Sequence, residues 1–149
     1  MQYLGLALCC RHCFSEMPAG AFFESDRLFG YRLCASCYSL LKEKVHFVSE
    51  QAFALYLALK ENGISAELEK SDGFKKVDIA VDEVNLHIEV DGQHHHIYEQ
   101  ALTDLKRTIY SLQNEFITIR IPNALIDQNL SQTRDELSGI IRFRQRKAG

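Results

Sequence analysis

The sequence predicts an α/β protein: a mixed central β-sheet flanked by helices, with a small N-terminal cysteine module. Three observations lead there. Two Cys-x2-Cys pairs lie before residue 38, apolar residues alternate with period two over residues 77–91, and helical apolar spacing recurs on both sides of that stretch. From residue 49 the elements run helix, three strands, helix, strand, helix, an order that packs helices against one mixed sheet.

The 149 residues, 46% hydrophobic and 25% charged, are enough for one ordinary core and a small appendage. No apolar run reaches the ~18 residues of a membrane span, and Met1–Leu8 lacks the basic start of a signal peptide, so a soluble cytoplasmic protein with no membrane partner is expected. A net charge of −3 argues against a uniformly basic nucleic-acid coat. Arg142-Phe143-Arg144-Gln145-Arg146-Lys147 is nonetheless locally basic, either a solvated helix end or a phosphate-holding patch. All five cysteines precede residue 38 and the long periodic segments follow Val45. That change places residues 1–44 in a four-cysteine module and 45–149 in a larger domain.

Cys10-x2-Cys13 and Cys34-x2-Cys37 are separated by 20 residues, the arrangement in which two knuckles bring four thiolates to one structural zinc. Disulfides are the alternative, and a reducing cytosol disfavours them. Cys9 is a spare thiol and His12 lies inside the first knuckle, so either is a possible substitute for Cys10 or Cys13; the all-cysteine set is the expectation. Phe14, Phe22, Phe23, Leu28, Phe29 and Tyr31 offer an apolar cluster around the metal. Such a closed site folds its module and does no chemistry.

Ser49 caps a predicted helix that carries Phe53, Ala54, Leu57 and Ala58 and ends at Asn62-Gly63. Glu50 falls on the same stripe as Phe53 and Leu57, explained by the helix dipole or by a site it reaches into. Residues 66–69 read as a short strand leading through Ser71-Asp72-Gly73 to a hairpin with a two-residue Asp82-Glu83 turn. In that register Val81 faces Val84, Ile79 faces Leu86 and Val77 faces Ile88. Alternation then sends Asp78, His87, Glu89 and Asp91 to the opposite face, where crowded carboxylates suit Mg²⁺ or Mn²⁺. A solvated outer face is the plain alternative. Over residues 98–112, Leu102, Leu105, Ile109 and Leu112 recur at helical spacing, with Asp104 and Arg107 on another face. Residues 116–121 form a β-branched strand stopped by Pro122, and a last helix is expected over 131–146, with Leu137, Ile140, Ile141 and Arg144 along one side.

Helix-borne Glu50, strand Asp78, Glu89-Val90-Asp91-Gly92-Gln93-His94-His95, Asp104-Leu105-Lys106-Arg107 and Arg120-Ile121-Pro122-Asn123 together resemble the PD-(D/E)XK nuclease superfamily. The likeness is closest to its very-short-patch-repair-endonuclease-like branch and covers Ser49 to about Ile126. It implies a restriction-endonuclease-like core and a Mg- or Mn-dependent endodeoxyribonuclease, with DNA as partner and a homodimer where both strands are cut. Under the resemblance Asp78 is the central metal ligand, Glu89 the second carboxylate and the Val90 carbonyl a third ligand. Glu50 completes or orients the site, and His95 acts as acid or phosphate donor. The superfamily's name-giving lysine is replaced here by Asp91, as in the close branch, which leaves water activation to Gln93 or His95. His94 and His96 read as solvent-facing neighbours, and His87 as a salt-bridge partner or a participant.

Two other functions fit the same residues: nucleic-acid binding on a non-catalytic nuclease-like scaffold, and a zinc-ribbon protein-interaction module. A histidine-based HNH nuclease is discounted because acids, not histidines, dominate the hairpin.

Overall fold

A computed structural model of the chain describes residues 8–18, 29–91, 105–107, 109–111 and 113–149. Gly92, Gln93, His94, His95, His96, Leu102, Asp104, Leu112, Phe22, Phe23 and Leu28 lie outside the described residues. The chain divides into two compact units, Met1–Phe47 and Val48–Gly149.

In the first unit a bridge between Cys9 and Glu16 closes the loop that carries the first cysteine pair. Inside it the N–H of Cys10 donates to the Ser15 carbonyl, and the N–H of Phe14 to the Cys10 carbonyl. Phe14 takes a left-handed φ of 62° to make that turn. Helix α1, Ala35–Leu41, is capped by Cys34, whose sulfur accepts the Cys37 N–H, so one cysteine pair serves as both cap and first turn. Cys10, Met17, Leu33, Cys37, Leu41 and Val45 form the buried core. Of the expected apolar cluster, Phe14 and Phe29 are exposed and Tyr31 is half-buried, while Phe22, Phe23 and Leu28 lie outside the described residues.

The second unit opens with α2, Glu50–Glu61, capped by Ser49 Oγ on the Ala52 N–H. Almost every residue from Ala52 to Leu59 is buried, so α2 is a central helix between the sheet and a second helix, with no solvated side of any width. The sheet has order β1-β2-β3-β4: β1 Glu67–Ser71, β2 Lys76–Val81, β3 Leu86–Asp91 and β4 Ile117–Pro122. The first two pairings are antiparallel and β3–β4 is parallel. Returning to a parallel neighbour requires a crossover, and residues 105–107, 109–111 and 113 of the intervening chain are helical.

The hairpin departs from expectation. β2 and β3 pair Val81 with Leu86 and Ile79 with Ile88, a two-residue slip from the predicted register. A two-residue hairpin loop needs positive φ at the first or at both central positions, which Asp82-Glu83 resists. Instead Asp82–Val84 form a 3-10 turn, and Asn85 takes the left-handed conformation (φ 50°) with its N–H on the Asp82 carbonyl. An even slip keeps every side chain on its face. Val77, Ile79, Val81, Leu86, Ile88 and Val90 are accordingly buried.

Helix α3, Asn123–Ala148, is two helical stretches joined at a kink, where Asn129 leaves helical φ/ψ; the stretch after the kink covers the expected 131–146, and the one before it is an addition. Pro122 is its N-cap: a fixed φ that ends a strand also suits a helix start. Leu137 and Ile141 are buried as expected, whereas Ile140 is 40% exposed. Arg142 Nη2 donates to the Asn62 carbonyl at the end of α2, and Arg144 Nε to the Val84 carbonyl. Two arginines of the basic tail are therefore engaged with backbone acceptors.

Candidate functional site

In the first unit the four sulfurs of Cys10, Cys13, Cys34 and Cys37 lie within 4.8 Å of one another. All five cysteines are free of disulfides. Cys13 Sγ and Cys34 Sγ are 3.7 Å apart, close to the ~3.8 Å edge of a tetrahedron whose metal–sulfur bonds are about 2.3 Å. The Cys34 N–H donates to Cys10 Sγ and the Cys37 N–H to Cys34 Sγ, which disperses thiolate charge. Ser15's hydroxyl and backbone pull the Cys13 thiol down to about 6, while burial pushes Cys37 up. His12 Nδ1 lies 3.1 Å from Cys37 Sγ, as a partner of a ligand and not in its place. Soft donors, number and spacing fit a metal such as zinc.

In the second unit Asp78 lies on β2 and Glu89 and Asp91 on β3. Carried one pair further, the observed register sets Glu89 across from Asp78, where the predicted one had His87. On β1, Glu69 falls between Leu68, paired with Ile79, and Lys70, paired with Val77, and so stands across from Asp78 on its other side. On β4, Arg120 pairs with Glu89. The row across all four strands is Glu69, Asp78, Glu89, Arg120. Glu69 has a left-handed φ of 49° within a strand, a conformation that non-glycine residues hold only at a cost, and its side chain is 7% exposed.

Asp78 is half-buried, and one oxygen accepts the Val90 N–H at 2.9 Å. Burial raises its pKa, the Val90 bond opposes this, and the Asp91 carboxylate raises it further; more weakly, Lys75 lowers it and the Glu69 carboxylate raises it. Glu89 is buried, ion-paired with Lys75 and 3.7 Å from Arg120, whose other nitrogen is 3.6 Å from Asp91. Burial, then Arg107 and Arg120, lower the Lys75 pKa despite the carboxylate against it. His87 is 2% exposed, stacked on Phe116 at 4.2 Å between ring centroids, and burial lowers its pKa. It is a core histidine, neither an acid's partner nor an exposed participant.

The structure thus brings Asp78, Glu89 and Asp91 together and places Val90 beside them through its N–H. Glu50 does not join them. It is exposed in the first turn of α2, because the buried side of that helix begins only at Ala52. Among the described residues, the four cysteines are the only group of three or more Cys, His, Asp or Glu with ligand atoms gathered closely enough for one ion. Lys75 and Glu69 carry no sequence signal for this site: Lys75 reaches Glu89 from a turn, and Glu69 enters through a backbone conformation that its residue type does not announce.

That turn is built by Asp72, whose Oδ1 accepts the N–H of Phe74 and of Lys75 at 2.8 Å. Tyr110 clamps it from the helical segment, its hydroxyl donating to the Asp72 carbonyl and its ring stacking on Phe74. A Cβ on Gly73 (φ 95°) would meet that hydroxyl at 2.8 Å. In the same segment Leu105 and Ile109 are exposed, and Ser111 is buried. The expected apolar stripe is therefore not the packed side among the described residues.

No helix among the described residues is long and apolar enough to cross a membrane. No protein-family model matches the chain, and no curated protein is a match for it.

Proposed function

We propose that the larger unit is a metal-dependent DNA endonuclease or nickase, on a PD-(D/E)XK-like scaffold, and that the N-terminal unit is its structural zinc module. The observation that carries the reading is the pairing of Asp78 and Glu89 on neighbouring strands with Asp91 and Glu69 close enough to raise Asp78's pKa. Carboxylates crowded under partial burial repel one another, and a divalent cation relieves that cost.

The donor chemistry, hard carboxylate oxygens, fits Mg²⁺ or Mn²⁺, which Asp78, Glu89 and the Val90 carbonyl would hold. A bound ion would polarise the phosphate and lower the pKa of its water. The chain's own residues have definite tasks: Val90's N–H orients Asp78, and Lys75 and Arg120 hold the Glu89 carboxylate in place through ion-pair contacts. Glu69 takes the supporting carboxylate role first expected of Glu50. Gln93 and His95 remain the expected water-activating and phosphate-facing groups.

One observation favours the alternative, nucleic-acid binding without turnover: Lys75 already neutralises Glu89. A supercoiled-plasmid assay with Mg²⁺, Mn²⁺ or neither separates the two. The endonuclease converts plasmid to nicked or linear DNA only with metal, and zinc-loaded Glu89→Gln does not. Equal conversion, or none, by wild type and variant across plasmid, linear and single-stranded DNA would discard the endonuclease reading.

A further inference from the structure

Beside the acids lies a cleft of about 400 Å³ lined by Lys75, Arg107, Ser111, Phe116, Thr118 and Arg120 together with Ile117. That volume falls within the ~300–1,000 Å³ of small-ligand sites. Its three cations come from separate parts of the chain: the turn before β2, the helical segment and β4. Surfaces ordinarily intersperse signs; here the tertiary fold collects one sign. Thr118 Oγ1 donates to Ser111 Oγ at 3.5 Å, which leaves the Ser111 hydroxyl as a donor beside the cations.

Planar guanidinium forks, an ammonium and hydroxyls are the donor set for a tetrahedral oxyanion. The geometry points to a phosphate-binding site in this cleft, one that holds a phosphate group next to the Asp78–Glu89 pair. This rests on the nuclease reading for its role, but not for the binding itself. Glu89 and Asp91 contact Lys75 and Arg120, and so set those two cations at the boundary between the acidic pair and the cleft. The basic C-terminal tail, where Arg142 and Arg144 donate to backbone carbonyls, is the alternative surface for a phosphate.

Binding is measured on the full zinc-loaded chain without Mg²⁺ or Mn²⁺, by anisotropy of a short fluorescent DNA oligonucleotide and by competition with inorganic phosphate. Lys75→Gln and Arg107→Gln are each expected to weaken oligonucleotide binding at least ~10-fold and to reduce its salt dependence. Arg146→Gln with Lys147→Gln leaves it unchanged. Thr118→Val, which removes no charge, weakens it several-fold and keeps the site testable if a cleft cation proves necessary for folding. Competition by millimolar phosphate assigns an isolated phosphate, and oligonucleotide binding without competition assigns a strand backbone; both support the site. Wild-type binding in all three cleft variants, loss on neutralising the tail, or no binding of either probe overturns it. Binding is read without metal and cleavage with it, so the failure of the nuclease reading and of the phosphate site remain separable.

Discussion

The carboxylate of Asp78 accepts the backbone N–H of Val90 at 2.9 Å, so a side chain on β2 is bound to the strand that carries Glu89. That bond orients the acid while burial and the neighbouring carboxylates raise its pKa.

Asp78→Asn keeps an acceptor for Val90 and removes a partly desolvated charge. At neutral pH it should raise the melting temperature by about 2 °C or more while abolishing metal-dependent cleavage. Thermal unfolding followed by circular dichroism, beside the plasmid assay, checks both; a less stable Asp78→Asn protein would contradict the electrostatic account.

Lys75→Met removes the nearest cation from Glu89, whose side chain is 9% exposed. Arg120 stays near, so the expected loss is at the lower end of the cost of breaking a buried pair, about 3 kcal/mol in denaturant unfolding. Adding Glu89→Gln should recover most of it. Additive losses in that double-mutant cycle would show that the pair is not coupled.

His87 is buried with a lowered pKa. The folded chain holds it neutral, whereas the unfolded chain protonates it below pH ~6.5. Its contribution is complete above that pH and is lost as the pH falls, by at most about 1.4 kcal/mol per unit. His87→Phe retains an aromatic ring against Phe116 and should flatten the stability profile between about pH 5 and 6.5. An unchanged profile would assign the acid sensitivity to other groups.

One zinc per chain is expected by elemental analysis, and none in Cys10→Ser or Cys37→Ser. Chelation should unfold residues 1–47, since the metal supplies much of the folding free energy of so small a core. Amide exchange resolved by residue reads this directly: fast exchange confined to the first unit is the expected result, and unchanged protection there would rule out a structural metal.

The sequence by itself determined the elements whose signals are local. The paired Cys-x2-Cys spacing survives as a sulfur cluster, Ser49 and Asn62-Gly63 bound α2, and period-two alternation placed Asp78, Glu89 and Asp91 on one face. That last result withstood a wrong register because a slip of two residues preserves facing. Only the tertiary structure decided which groups meet. It turned Asn85 through the left-handed region and so moved Glu89 across from Asp78. It exposed Glu50, sent Lys75 from a turn to Glu89, brought Glu69 beside Asp78 through strained backbone, and gathered Arg107 with Arg120 in one cleft. Periodicity reports which side of an element a residue occupies; loop geometry and packing between distant segments determine what that side faces.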